Sequence, residues 1–215
     1  QVMNTMLKNG FTTEITSGIP VTELYKNYPA YLERASELLG EKHYLYRSLQ
    51  ARKYFFNGKI QKTREASKEN YLLALQKQSD LPQAYVELIS TSMPSEEDSA
   101  VYYANKAMAL VPNWVVPNIK LAGFYMNKLK NRARAEDLLN VAGVIDSNSL
   151  LVWYQKGLFY FRQQDYQKSE FWLKKSVASS EEGICFPCAY NLMGNIYIET
   201  SQFEKAEAHF LKAIQ

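Results

Sequence analysis

An all-α architecture of stacked helix–turn–helix units is what this sequence predicts, and three observations predict it. The 215 residues include only nine glycines and seven prolines, too few for the runs of turns that an all-β sandwich needs. Hydrophobic residues make up 47% of the chain, enough to bury a core without metals or disulfides. Above all, residues of one size recur 34 to 37 positions apart, and a period in that range marks a repeat architecture.

Taken in order, residues 1–20 carry Gly10, Gly18 and Pro20 among Thr12, Thr13, Thr16 and Ser17 and read as irregular. A helical pattern runs from Val21 to Leu39, with a break expected at Pro29 and a stop at Gly40. Residues 1–47 lie outside the periodic part and are expected to form an irregular lead-in and a capping helix over the first unit. The alternative is the tail of an upstream domain. Gln1 is not an initiator Met, no signal-peptide layout follows it, and Gln215 falls inside a helical pattern. A piece of a longer protein is therefore expected, and no targeting signal gives a localisation.

The periodic part is clearest towards the C-terminus. Gly123, Gly157 and Gly194 are 34 and 37 residues apart, and the same two separations hold for Ala135, Ser169 and Ala206. They hold again for Leu139, Leu173 and Phe210, and for Ala142, Ser176 and Ala213. Glycine inside a helix costs about 1 kcal/mol relative to alanine, so three in one column imply close approach of a neighbouring helix. Upstream, Ala107 and Ala74 continue one column, while Phe55 and Leu88 stand where the glycine should be. The units are expected at 48–80, 81–115, 116–149, 150–186 and 187–215, the last incomplete. Pro82, Pro117 and Pro187 suit first turns of helices. Asn131 and Asp165 suit helix starts, as do Ser95 ahead of three acidic residues and Ser201 paired with Glu204.

These columns resemble the tetratricopeptide repeat, W-x₂-L-G-x₂-Y followed by A-x₃-F. The best copy is Tyr190-x₂-Met193-Gly194-x₂-Tyr197 with Ala206-x₃-Phe210 and Ala213. Next come Trp153-x₃-Gly157-x₂-Tyr160 with Ser169-x₃-Leu173, and Ile119-x₂-Ala122-Gly123 with Ala135-x₃-Leu139, where Met126 replaces the tyrosine. The resemblance implies a right-handed superhelical solenoid of about five repeats with an N-terminal helical cap. It also implies a non-catalytic scaffold that binds a protein or peptide in a groove lined by the first helix of each unit. The implied groove set is Tyr85, Lys120, Phe124, Asn127, Tyr154, Leu158, Phe161, Arg162, Asn191 and Asn195. It suits a peptide with apolar anchors and an acidic or carboxylate group. Asn191 and Asn195 have the spacing of the first pair in the carboxylate clamp of chaperone-binding members, but the chain holds no complete clamp. A second reading is a regulatory or substrate-recruiting arm of a larger enzyme.

Other chemistry has few parts to work with. Two histidines and two cysteines supply no metal set, no cofactor motif is present, and no catalytic residue is expected. Cys185-Phe186-Pro187-Cys188 reads as two structural cysteines or a disulfide rather than a redox pair, because no βαβ context surrounds it. The stretch Lys42–Lys77 is basic with aromatic residues interleaved, yet the whole chain carries only +3. This argues against nucleic acid as the partner. No run approaches the length of a membrane span. Sixteen tyrosines read as helix–helix filler with rim hydroxyls. Phe203, Phe210 and Ile214 form an apolar face for which self-association or a further helix is the expected cover.

Overall fold

The computed structural model describes residues 21–178 and 187–214, residues 21–25 as backbone only, and all regular structure among them is helical. The α-helices are α1 (Val21–Leu39), α2 (Tyr46–Ile60), α3 (Arg64–Lys77), α4 (Pro82–Thr91), α5 (Glu97–Leu110), α6 (Val116–Phe124), α7 (Arg132–Ile145), α8 (Leu150–Arg162), α9 (Tyr166–Ala178), α10 (Pro187–Glu199) and α11 (Phe203–Ile214). A 3₁₀ turn, Pro94–Glu96, leads into α5, and a π-helical segment, Tyr125–Leu129, follows α6. Two compact units divide between Phe124 and Tyr125.

The first unit begins with α1, which runs straight through Pro29. The expected break does not occur, because packing on α2 outweighs the hydrogen bond that proline removes. Leu32 and Ser36 are buried, and the Tyr28 ring lies 4.8 Å from Phe56. Gly40 does end the helix, at φ +72 with its N–H on the Ser36 carbonyl. Helices α2 and α3 then close on Phe55, Phe56, Tyr71 and Ala74. In helices α4 and α5, Leu88, Ala100, Ala104 and Ala107 are all fully buried.

Those contacts explain the missing glycines. Phe55 and Tyr71 occupy the two columns that Gly157 and Leu173 occupy later, and two large rings would not fit face on. Gly58, one turn beyond Phe55, makes the room: a Cβ there would lie 2.5 Å from the Tyr71 ring. In the next pair Leu88 takes the glycine's place and Ala104 takes the bulky one. Large and small residues trade places between the two columns, and where both are large a glycine one turn away makes the room.

The second unit shows the unswapped form. A Cβ on Gly157 would lie 2.6 Å from Cγ of Leu173, and one on Gly194 2.4 Å from the Phe210 ring. Ser169, fully buried, donates to the Gly157 carbonyl at 2.8 Å and ties α9 to α8. Turns between paired helices share one geometry. Lys130, Gln164 and Ser201 all have φ near +60. The N–H groups of Asp165 and Gln202 reach back to the carbonyls of Tyr160 and Tyr197, a Schellman closure with a non-glycine left-handed residue.

Ser201 is therefore the left-handed turn residue and not an N-cap, and α11 starts at Phe203. Likewise Ser95 lies within the 3₁₀ turn, where Glu96 accepts from the Met93 N–H at 2.7 Å. Asn131 and Asp165 do cap, accepting from Arg134 and Lys168 at 3.1 Å each. Pro82, Pro117 and Pro187 lie in first turns.

Two outcomes test this packing. Gly157→Ala forces the Cβ into Leu173, which is itself fully buried, and should lower unfolding free energy by about 1–3 kcal/mol despite the better helix propensity. Urea unfolding followed by the emission of Trp153 and Trp172 measures it. Gln164→Gly relieves a left-handed side chain and should raise stability by about 0.5–1 kcal/mol in the same assay.

Candidate protein-binding surface

In the second unit the first helix of each pair offers one face to its own partner helix and another to solvent or to the next pair. On α8, Val152, Gly157 and Phe159 are buried, while Tyr154, Leu158 and Phe161 are half-buried and pack against the cluster that α9, α10 and α11 build. Burial pushes the Tyr154 phenol up, with Arg162 pulling the other way. On α10, Asn191 is exposed and Asn195 half-buried one turn later. Arg162 donates to Asn127 on the π-helical segment, so these two expected groove residues are brought together.

Beside that pair lies a cleft of about 440 Å³ lined by Met126, Asn127, Lys130, Arg132, Phe159, Arg162 and Gln163. Three cations line it and no carboxylate does. Lys130 and Arg132 were not among the expected residues, because Lys130 lies in the turn after the π-helical segment and Arg132 opens α7, neither on the face of a first helix. The unit thus places an apolar strip (Tyr154, Leu158, Phe161) on the same helix as a cation, Arg162, that opens on a polar cleft.

In the first unit the expected residues are placed differently. Tyr85 is buried with Val86 and Ala107, and Leu75, Tyr103, Trp114 and Val116 pack around them. Phe124 is 3% exposed, and Lys120 is half-buried. Much of the Lys42–Lys77 charge is matched by carboxylates: Lys53 pairs with Glu33, Lys59 with Glu87 at 2.5 Å, and Lys68 with Glu96.

The tyrosines do more than fill space. Tyr160 donates to Glu136 and Tyr197 donates to Glu170, both at 2.6 Å. Each bond joins the first helix of one pair to the second helix of the pair before. Burial, then the bond to the carboxylate, pushes both phenols up to about 12. Glu170 is raised by burial, but its bonds from Lys174 and Tyr197 outweigh this and hold the carboxyl below the usual range. The signal was present: Glu136 and Glu170 each follow a small residue of one column, Ala135 and Ser169.

The histidines have local roles. His43 Nδ1 accepts from the Leu45 N–H at 3.2 Å, and the His209 ring lies 4.9 Å from Tyr197. Among the described residues, no group of three or more His, Cys, Asp or Glu could hold a metal ion. No described helix is long and apolar enough to cross a membrane. Cys188 is exposed in the first turn of α10, and Cys185, its expected partner, lies outside the described residues.

Helices packed in consecutive pairs, with a small residue of one facing a large residue of the other, define a helical-repeat protein. The tetratricopeptide repeat family matches residues 150–182 and 189–215. The fourth and fifth helix pairs are tetratricopeptide repeats, and the fold of the chain is that of tetratricopeptide-repeat proteins. Cut9–Hcn1, an APC/C hetero-tetramer, is similar at a TM-score of 0.64 and 14% identity, over 89% of this chain and 38% of that one. A tetratricopeptide repeat protein from Parabacteroides merdae gives 0.61 and 15%, over 89% and 77%. A thermophilic protein of this class from Thermus thermophilus gives 0.57 and 16%, over 88% and 90%. Curated protein sequences contain no match to this chain. Proteins of this fold generally mediate protein–protein interaction and are generally non-catalytic scaffolds.

The tyrosine bonds predict an alkaline limit. A phenol with an ordinary value near 10 when unfolded and about 12 when folded contributes stability that is complete below pH 10 and is lost as pH rises towards 12. Tyr160→Phe and Tyr197→Phe should each cost about 1–2 kcal/mol at pH 7. Urea unfolding at pH 7 and pH 11 should show a smaller alkaline loss in the double variant than in the parent.

Proposed function

We propose that this chain is a non-catalytic interaction scaffold whose second unit holds a peptide or protein segment along the exposed faces of α8 and α10. The observation that carries the reading is the cleft lined by Arg162, Lys130 and Arg132, on the helix whose Tyr154, Leu158 and Phe161 stay half-buried. Apolar anchors supply affinity, and Arg162 with Lys130 and Arg132 supplies preference for a carboxylate or another anionic group. Asn191 and Asn195 offer amide donors and acceptors to a peptide backbone. Lys120, Tyr85 and Phe124 belong to the proposed surface of the first unit, where the burial of the two rings makes them walls rather than anchors.

Selection from a random-peptide display library against the whole chain tests this. Enriched peptides should pair an aromatic or aliphatic anchor with an acidic residue. They should lose about tenfold or more in affinity on Tyr154→Ala or Arg162→Glu, with circular dichroism unchanged. Peptides that bind both variants as tightly as the parent would contradict the assignment of this face.

A further inference from the structure

Several cations of the second unit are matched by carboxylates. Lys168 pairs with Asp165 at 3.0 Å and Lys174 with Glu170 at 2.7 Å. The cleft beside α8 departs from this. Lys130, Arg132 and Arg162 line it, all three exposed, and no carboxylate joins them. Among the described residues, the Lys130 and Arg132 side chains have no hydrogen-bond or ion-pair partner. Arg162 donates to the Asn127 Oδ1, which leaves most of its five N–H donors unused.

The repeat itself shows a closed version of the same place. Asn127, Lys130 and Arg132 stand 34 residues before Phe161, Gln164 and Tyr166. Phe159, Arg162 and Gln163 stand 37 residues before Ile196, Glu199 and Thr200. At the later position Tyr166 donates to Glu199 at 3.5 Å, and its ring lies 5.9 Å from the Phe161 ring. Donor meets acceptor there, and two rings fill the space. In the earlier cleft arginine replaces both the tyrosine and the glutamate, and asparagine replaces one ring. Donors then stand on both sides, because neither arginine nor lysine can accept a hydrogen bond. What the site lacks is an acceptor group with negative charge.

We infer that this cleft binds the phosphoryl group of a phosphorylated serine or threonine in the bound peptide. The inference rests on the peptide-binding reading above and names the anion. One guanidinium fork satisfies a carboxylate, whereas a phosphoryl group carries nearly two charges and three acceptor oxygens. That matches two forks, Arg132 and Arg162, and one point charge, Lys130. Met126 and Phe159, the latter 1% exposed, add an apolar lining that strengthens such contacts. Leu158 lies one turn before Arg162, about 6 Å along the helix axis. The phosphorylated residue therefore stands about two extended residues from an apolar anchor.

The probe is an oriented peptide library with phosphoserine fixed at the centre and randomised flanks, beside matched libraries that fix glutamate or serine there. The whole chain should bind the best phosphoserine peptides about tenfold more tightly than their glutamate counterparts by fluorescence anisotropy. Arg132→Gln, with circular dichroism unchanged, should weaken the phosphoserine peptides about tenfold. The same variant should weaken the glutamate peptides only about twofold. Equal affinity for the phosphoserine and glutamate forms, or a preference unchanged in Arg132→Gln, would overturn the inference. Glutamate peptides that still weaken on Tyr154→Ala would then leave the peptide surface standing without its phosphoryl site. Binding of no library would overturn both readings. Inorganic phosphate or a uridine oligonucleotide that displaces the phosphopeptide at equal concentration would also overturn the inference, by making a free ion or a nucleic acid the ligand.

Discussion

Within each unit the paired helices depend on one steric constraint: the contact between the two helices admits a limited summed volume. Gly157 with Leu173 and Gly194 with Phe210 meet it by setting nothing against something bulky. Leu88 and Ala104, both fully buried, carry the reverse sizes in the same two columns, and Phe55 with Tyr71 fit because Gly58 makes room one turn further on. Interiors pack at crystal-like density, so a methyl added on one side must be removed on the other. The glycines cost helix propensity and return it as close backbone approach, which also lets buried Ser169 bond across to the Gly157 carbonyl.

Close approach within a pair determines what neighbouring pairs can do. With its small residues turned inward, the first helix directs larger side chains outward at fixed heights. Tyr160 and Tyr197 therefore arrive at Glu136 and Glu170 in the same way. These bonds join pair to pair with directional contacts where apolar packing alone would tolerate sliding. The same regularity sets Tyr154, Leu158 and Phe161 on the face beside Arg162. The proposed binding surface is a by-product of the packing rule, with specificity added by side chains outside the packed columns.

Much of this was legible from spacing. The columns at Gly157/Gly194, Ser169/Ala206 and Leu173/Phe210 place the helices and their contacts without any structural information. The features that spacing does not carry have physical reasons. Gly58 stands one helical turn away from its column, so a search by residue type passes over it, although a search by summed size would not. The helix through Pro29 forms because tertiary packing overrides local propensity. Ser201 is a poor left-handed residue by preference, and only the turn geometry shared with Gln164 and Lys130 reveals its role. Lys130 reaches the cleft from a turn and Arg132 from the first residue of α7, where helical periodicity carries little information about facing.

The volume rule is the central claim, and a double-mutant cycle tests it most directly. Gly157→Leu alone overfills the α8–α9 contact and Leu173→Ala alone leaves a cavity, whereas the two together reproduce the Leu88–Ala104 arrangement. Equilibrium unfolding of the parent, both single variants and the double variant should give a favourable coupling of about 2 kcal/mol or more, with the double variant more stable than Gly157→Leu. Additive losses, with the double variant the least stable of the four, would show that the contact selects residue types rather than summed size.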